Sequence, residues 1–319
     1  MSEGNRIEDY IAATTVALIS IFGLISNGIS LYLTRTRSRF RNAFGVLCSS
    51  FLICNLQAIF VHFTWCTIVL SLKSPILSSP ELFSVRLVGV ILNGAWFGSI
   101  LMHFLTAINR FFAFVYATRY NQLWSEGRTF KIAIIFWTIS MVYCTHHLYE
   151  DCSLLFNSGS KYRWLHHSSY HGQICGKIDA LVSVALIVAM ACTDFITLLK
   201  IIAYRRTMRR NTTESTTVSV INEKEILFFK QSCKLSLLYI SSAVTFNLSS
   251  YFFTDKWIMF ISNTIIWNLV HSMDGLTFLL FNRKLIHKSN SGGTSIAPAA
   301  NLNLFQSRQS NKVNISLAL

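Results

Sequence analysis

Residues 105–120, "LTAINRFFAFVYATRY", decide the fold class. Upstream of Leu105 the chain stays largely apolar back to Leu82. Downstream it meets Asn109 and Arg110, then Phe111, Phe112, Phe114 and Tyr116, and leaves on Arg119 and Tyr120. An apolar run of that length, closed by cations and aromatics, reads as a helix crossing lipid with its basic foot at the water interface. The same grammar recurs along the chain. Of 319 residues, 52% are hydrophobic and 13% charged, about half the charged share of a soluble domain. That balance excludes a water-soluble core and points to a polytopic membrane protein. Only Pro75, Pro80 and Pro298 are prolines, so long helices run without their usual interrupters.

Seven runs reach the roughly 20 residues that a helix needs to cross about 30 Å of hydrocarbon. They are 10–33, 44–70, 82–115, 129–149, 178–204, 226–253 and 257–281. Helices alone fit, because lipid offers backbone groups no other partner. The reading is an all-α membrane protein, a seven-transmembrane helix bundle over 10–287. Residues 1–9 precede it, and a Ser/Asn-rich tail, 288–319, is expected to be disordered. The acidic start "MSEGNRIEDY" lacks the basic region of a secretory signal, so the first run is expected to stay in the membrane. Lys and Arg set the orientation. With the N-terminus outside, only Arg6, Lys73, Arg86, Lys161, Arg163, Lys177 and Lys256 of the 28 basic residues face outward. The N-terminus is therefore expected to be extracellular and the C-terminus cytoplasmic. The net charge of +14 becomes a topology signal facing anionic lipid and cytosolic partners, which argues against nucleic acid.

Polar residues inside the spans are few, and each needs a partner. An intramembrane acid costs about 2.5–3.5 kcal/mol on insertion scales. Asp274, in "HSMDGLTFLLFNRK", is expected to join a cluster with Asn27, Ser49 or Ser50, and Asn268. Asp194, in "CTDFI", is expected to meet a polar group such as His103 or Asn247. The two acids lack the Tyr-Asp and Gly-x-Gly-Asp motifs of an intramembrane protease, so neither enzyme activity nor a cofactor is implied. Cys152 and Cys175 fall in an outward loop, where an oxidising compartment favours a disulfide. The simplest bridge joins them, with Cys66 as the competing partner. His166, His167 and His171 share this loop, with His146 and His147 just before it, but the sequence offers no acidic or Cys ligand at suitable spacing, and no metal site is expected. The outer halves of the third, sixth and seventh spans carry Asn93, Trp96, Phe97, Tyr251 and Trp267, with His271 one turn further in. This lining suits a small, mainly apolar ligand, although Trp and Tyr also build the interfacial belt of any membrane protein.

Arg110 at the foot of the third span resembles the Asp-Arg-Tyr triplet of G-protein-coupled receptors. Asn27 in "GLISNG" resembles their first-span Asn, and Asp274-Gly275-x-x-Phe278 stands where they carry Asn-Pro-x-x-Tyr. Arg283 to Lys288 then resembles their short eighth helix. More specifically, "NAFGVLCSSFLICN", "NRFFAFVYATRYNQLWS", "FFKQSCKLSLLY" and "HSMDGLTFLLFNRK" are similar to the nematode serpentine chemoreceptors of class x, over about Asn42 to Lys284. The resemblance implies a chemosensory receptor in the plasma membrane of a sensory neuron, its cilium included. Such a receptor binds a small external molecule and activates a heterotrimeric G protein. It assigns Asn109, Arg110, Phe111, Asn27, Asp274 and Phe278 to the activation switch, with Arg110 held by neighbouring helices at rest. Two departures stand out: Asn109 replaces the acid of the triplet, and no span contains a proline. The alternative is a seven-span ligand-gated channel or transporter. A pore would line one helical face with repeating polar residues, whereas here they are isolated.

Overall fold

Each apolar run forms a helix, and most run beyond the hydrocarbon they need to cross. The computed structural model describes residues 3–157, 159, 162–211, 236–249 and 252–287. The first span is Glu3–Thr36, the second Ala43–Leu72 and the third Phe83–Val115. The fourth is Glu126–Tyr143, prolonged by a 3-10 turn to Leu148. The fifth is Tyr170–Asn211, and the seventh runs from Lys256 to His287. Six of the described helices are long and apolar enough to cross a membrane. The sixth span is described only as the helix 236–249. Residues 226–235, 250 and Tyr251 of the predicted sixth span, and the tail 288–319, lie outside the described residues.

Side chains explain several of the boundaries. Asn42 accepts a hydrogen bond from the Gly45 amide to open the second span. Ser125 does the same for Arg128 in the fourth, and Asp255 accepts from Trp257 and Ile258 to open the seventh. Each such cap is worth about 1 kcal/mol. The first helix already begins at Glu3, inside the segment expected to precede it. The seventh continues without a break through Arg283 to His287. Those residues therefore extend the seventh span and do not start a separate eighth helix, because no Gly or Pro interrupts the turn.

The third span sits at the centre, with most of its outer and middle turns buried. The first, fourth and fifth spans turn Leu18, Ile25, Ile135, Ile139, Leu181 and Phe195 outward. That would be a large sticky patch in water and is the ordinary outer surface in lipid. Two of the proline-free spans carry wide turns. His62–Cys66 in the second and Phe260–Ile265 in the seventh are π-helical, each accommodating an extra residue in the helix.

A two-stranded hairpin, β1 (Leu154–Asn157) and β2 (Arg163–His166), closes one end of the bundle. Phe156, Tyr162 and Trp164 bury themselves under it. The Leu154 carbonyl lies so near the third span that a Cβ on Gly89 would come within 2.4 Å of it. Cys152 and Cys175 form a disulfide, their Cα atoms 5.7 Å apart, tying the entry of the hairpin to the fifth span. The N-terminal turns of the first span are held at the same end. Asp9 accepts a hydrogen bond from the Tyr162 hydroxyl and pairs with Lys73. Glu8 accepts from Lys256 at 2.8 Å, and that ammonium also lies 3.8 Å above the Tyr162 ring.

The first and seventh spans meet almost backbone to backbone. Ser26 donates to the Ser272 carbonyl at 3.0 Å and Ser30 to the Gly275 carbonyl at 2.8 Å. A Cβ on Gly275 would lie 2.5 Å from the Asn27 nitrogen, and a backbone cannot yield as a side chain can. Gly275→Ala is therefore expected to cost about 1–3 kcal/mol through overpacking. A lowered thermal midpoint of the purified protein would show it, and an unchanged midpoint would refute the close packing.

Candidate functional site

Beneath the hairpin, residues of the third, fifth, sixth and seventh spans line a cleft. Trp96, Trp267 and Phe246 supply its aromatic wall, with Trp96 and Trp267 edge to face at 6.0 Å. Asn93, Asp179, Ser183 and His166 supply polar groups. Trp96 is fixed by donating its indole N–H to Ser183 Oγ at 3.1 Å. The Trp267 indole nitrogen is buried with no hydrogen-bond partner among the described residues, leaving a donor beside the cleft. Of the residues expected to line a ligand site, Asn93, Trp96 and Trp267 line this cleft. Phe97 instead turns to the fourth span and meets the Tyr143 ring at 4.8 Å. His271 is buried behind Trp96, their rings 5.8 Å apart.

The cleft's polar corner was not legible in the sequence. Asp179 accepts from Asn93 Nδ2 and from the Tyr143 hydroxyl, both at 2.9 Å. His146, His147 and His166 each bring Nε2 to within 3.4, 3.2 and 3.9 Å of its carboxylate. An acidic partner for a histidine cluster thus exists, contrary to the sequence reading, because the fold brings together the end of the fourth span, the hairpin and the fifth span. His167 and His171 are not members; they lie 3.9 and 4.0 Å from Asp151 at the surface. Burial pushes the His166 imidazole down to about 4, with nearby His147 and His146 adding to it and Asp179 opposing.

Directly below the cleft lies a second polar cluster, around Asp274. Its Oδ2 accepts from Asn55 Nδ2 at 2.8 Å, Tyr239 OH at 2.9 Å and His103 Nε2 at 3.0 Å. Asn55 Oδ1 in turn accepts from His271 Nδ1 at 2.7 Å and from the Ser99 hydroxyl. The cluster draws on the second, third, sixth and seventh spans. It is not the cluster the sequence suggested. Asn27 donates to the Gly23 and His271 carbonyls at 2.9 and 3.1 Å, and Asn268 donates to Ser20 at 2.8 Å. Ser49 and Ser50 bond back to their own helix. Trp96 connects the two levels, with ring centroids 5.4 Å from Tyr239 and 5.8 Å from His271.

At the opposite end of the third span, Arg110 Nη2 lies 3.6 Å from Asp194 Oδ1, with both side chains largely buried. Arg110 Nε also donates to the Thr106 carbonyl at 3.3 Å. Asp194 therefore meets Arg110 and neither His103 nor Asn247. The first of those is claimed by Asp274, and the second bonds the Ala243 carbonyl at 2.8 Å. Asn109, where the triplet usually carries an acid, donates to the Tyr120 hydroxyl at 3.1 Å instead. The counter-charge has moved from the neighbouring residue to the fifth span. Phe111 packs edge to face on Phe112 and Tyr116, and buried Phe278 meets Phe40 at 5.5 Å. Asp194 and Asp274 have separate partners and do not form an acid–base dyad.

The family description "Serpentine type 7TM GPCR chemoreceptor Srx" matches residues 17–282. Serpentine receptor class X 45 of Caenorhabditis elegans is 25% identical over 304 aligned residues, covering 86% of this chain and 80% of that one. Serpentine receptor class X-43 of the same organism is 23% identical over 260 residues, covering 76% and 75%. The crystal structure of squid rhodopsin superposes with a TM-score of 0.66 at 14% identity, covering 91% of this chain and 89% of that one. Neither family nor fold supports the channel or transporter reading. With the family match spanning most of the chain and its fold that of rhodopsin, the protein belongs to the serpentine class x family of seven-transmembrane G-protein-coupled chemoreceptors.

Proposed function

We propose that a small, mainly apolar external molecule binds in the cleft between Trp96, Phe246 and Trp267, and that binding is read out by a heterotrimeric G protein at the Arg110 end. The observation that carries this reading is the placement of Trp96. One part of its ring system faces the cleft, while Tyr239 and His271 of the Asp274 cluster pack against it. A ligand that shifts Trp96 must repack groups holding four spans together, and packed interiors change between discrete arrangements more readily than they deform. The receptor end of that change is Arg110, released from Asp194 to meet the G protein.

The orientation follows the same reading, with the hairpin and N-terminus facing outside at the plasma membrane. The disulfide at the hairpin end supports it, since such bonds persist in oxidising compartments, and so does the basic excess at the Arg110 end. In cells carrying a G-protein-dissociation reporter, a small-molecule panel is expected to yield a response that Arg110→Ala abolishes at matched surface expression. A ligand-evoked response that survives Arg110→Ala would overturn the assignment.

A further inference from the structure

We infer that His146, His147 and Asp179 form a binding site for one divalent zinc-like metal ion at the mouth of the cleft. The donor atoms of His146, His147 and Asp179 all lie within 4.8 Å of one another. The Nε2–carboxylate separations are 3.4 Å from His146 and 3.2 Å from His147. Zinc bonds of about 2.0–2.2 Å in a tetrahedron set neighbouring ligand atoms about 3.3 Å apart. His166 Nε2 lies 3.9 Å from Asp179 Oδ2 and stands outside the trio, so a water molecule would take the fourth corner.

The rings are already oriented as ligands. His147 Nδ1 lies 2.8 Å from the Cys152 carbonyl, and His146 Nδ1 lies 2.7 Å from the Tyr143 carbonyl. A carbonyl only accepts, so each Nδ1 carries the proton, and in the neutral ring Nε2 turns its lone pair toward Asp179. Backbone carbonyls hold metal-bound histidines in this way. The Tyr143 hydroxyl, donating at 2.9 Å, orients the carboxylate.

Asn93 Nδ2 sits 2.7 Å from His147 Nε2 and 2.9 Å from Asp179 Oδ2. Its amide hydrogens bridge two electron-rich atoms, the work a cation would do, and an entering ion turns that amide aside. Imidazoles and one carboxylate suit zinc and its neighbours, not calcium or magnesium, which demand oxygen. The ligands come from the end of the fourth span and from the fifth span, so an ion would cross-link the two. Asp179 and Asn93 also line the cleft, but the test reads ion binding alone and needs no signalling ligand.

The test uses the full-length receptor, purified through a histidine-free tag, stripped with chelator and placed in lipid nanodiscs. Titration with Co²⁺, a coloured probe for zinc sites, is expected to saturate at one equivalent, with the intense visible absorption of a four-coordinate ion. Zn²⁺ should displace it. His146→Ala and Asp179→Asn are expected to weaken binding at least about tenfold. His171→Ala, an exposed histidine of the same loop, should bind as the wild type does. Zn²⁺ should also raise the thermal midpoint of the wild type and of His171→Ala, but not of His146→Ala. Midpoints without metal separate a lost site from a lost fold. No saturable binding by the wild type would mean that these groups merely share protons, and would overturn the site. So would unchanged binding in both His146→Ala and Asp179→Asn.

Discussion

Asp194→Asn is expected to raise signalling in the absence of any ligand. The substitution keeps the shape of the side chain and removes the charge that Arg110 faces at 3.6 Å. Both groups are mostly withdrawn from solvent, at 18% and 5% side-chain exposure, so their attraction is far less screened than at a surface. Breaking a buried pair by removing one partner typically costs about 3–5 kcal/mol, because the survivor keeps its desolvation penalty. If the pair belongs to the resting arrangement, that cost falls on the resting state alone. A differential of only about 1.4 kcal/mol multiplies the active fraction about tenfold while it remains a minority. A G-protein-dissociation reporter at matched surface expression should therefore show a several-fold higher baseline. Adding Arg110→Ala should silence it, since the group proposed to meet the G protein is gone. An unchanged baseline in Asp194→Asn would show that the ion pair does not restrain the receptor.

Asp274→Ala is expected to have the largest effect on stability. It removes the one acceptor shared by Asn55, His103 and Tyr239, all three buried. Each donor left unpaired in the interior costs about 1–3 kcal/mol. Hydrogen bonds between membrane spans often measure lower than this, because the unfolded chain finds other partners. Three donors losing their acceptor together still imply a loss of several kcal/mol. The readouts are poor arrival at the cell surface and a thermal midpoint well below wild type in detergent. His103→Ala, which removes one donor and leaves two, should lose clearly less. Equal midpoints for wild type and Asp274→Ala would mean that the carboxylate is not what holds these spans together.

The architecture was legible because seven runs of apolar residues are a strong one-dimensional signal. Their ends were not, since polar caps such as Asn42, Ser125 and Asp255 act through local geometry and helices run on into water past the apolar stretch. Arg110, Asp194 and Asp274 could each be singled out, because a charge in lipid demands an explanation. Their partners depended on how each helix is rotated about its own axis, which a single sequence without clear amphipathic stripes does not encode. So the sequence offers Asp194 either His103 or Asn247, while the fold gives His103 to Asp274 and turns Asn247 to the Ala243 carbonyl. Asp179 escaped notice for another reason. It lies one residue inside the predicted start of the fifth span, where an acid reads as an ordinary interface residue. His146 and His147, far from it in the chain, gave no hint of convergence.

The two wide turns have a consequence for how such receptors diversify. His62 in the first of them packs against both Trp164 and Trp267, with centroids 5.9 and 5.4 Å away, and Phe260–Ile265 ends just before Trp267. Each turn holds a surplus residue that an ordinary helix would not need. Because the wide turn absorbs its surplus residue locally, loss of one codon within it would return an ordinary helix whose two flanks still face the same neighbours. The change would stay at the contacts around Trp164 and Trp267 and leave the Arg110 end of the bundle as it is.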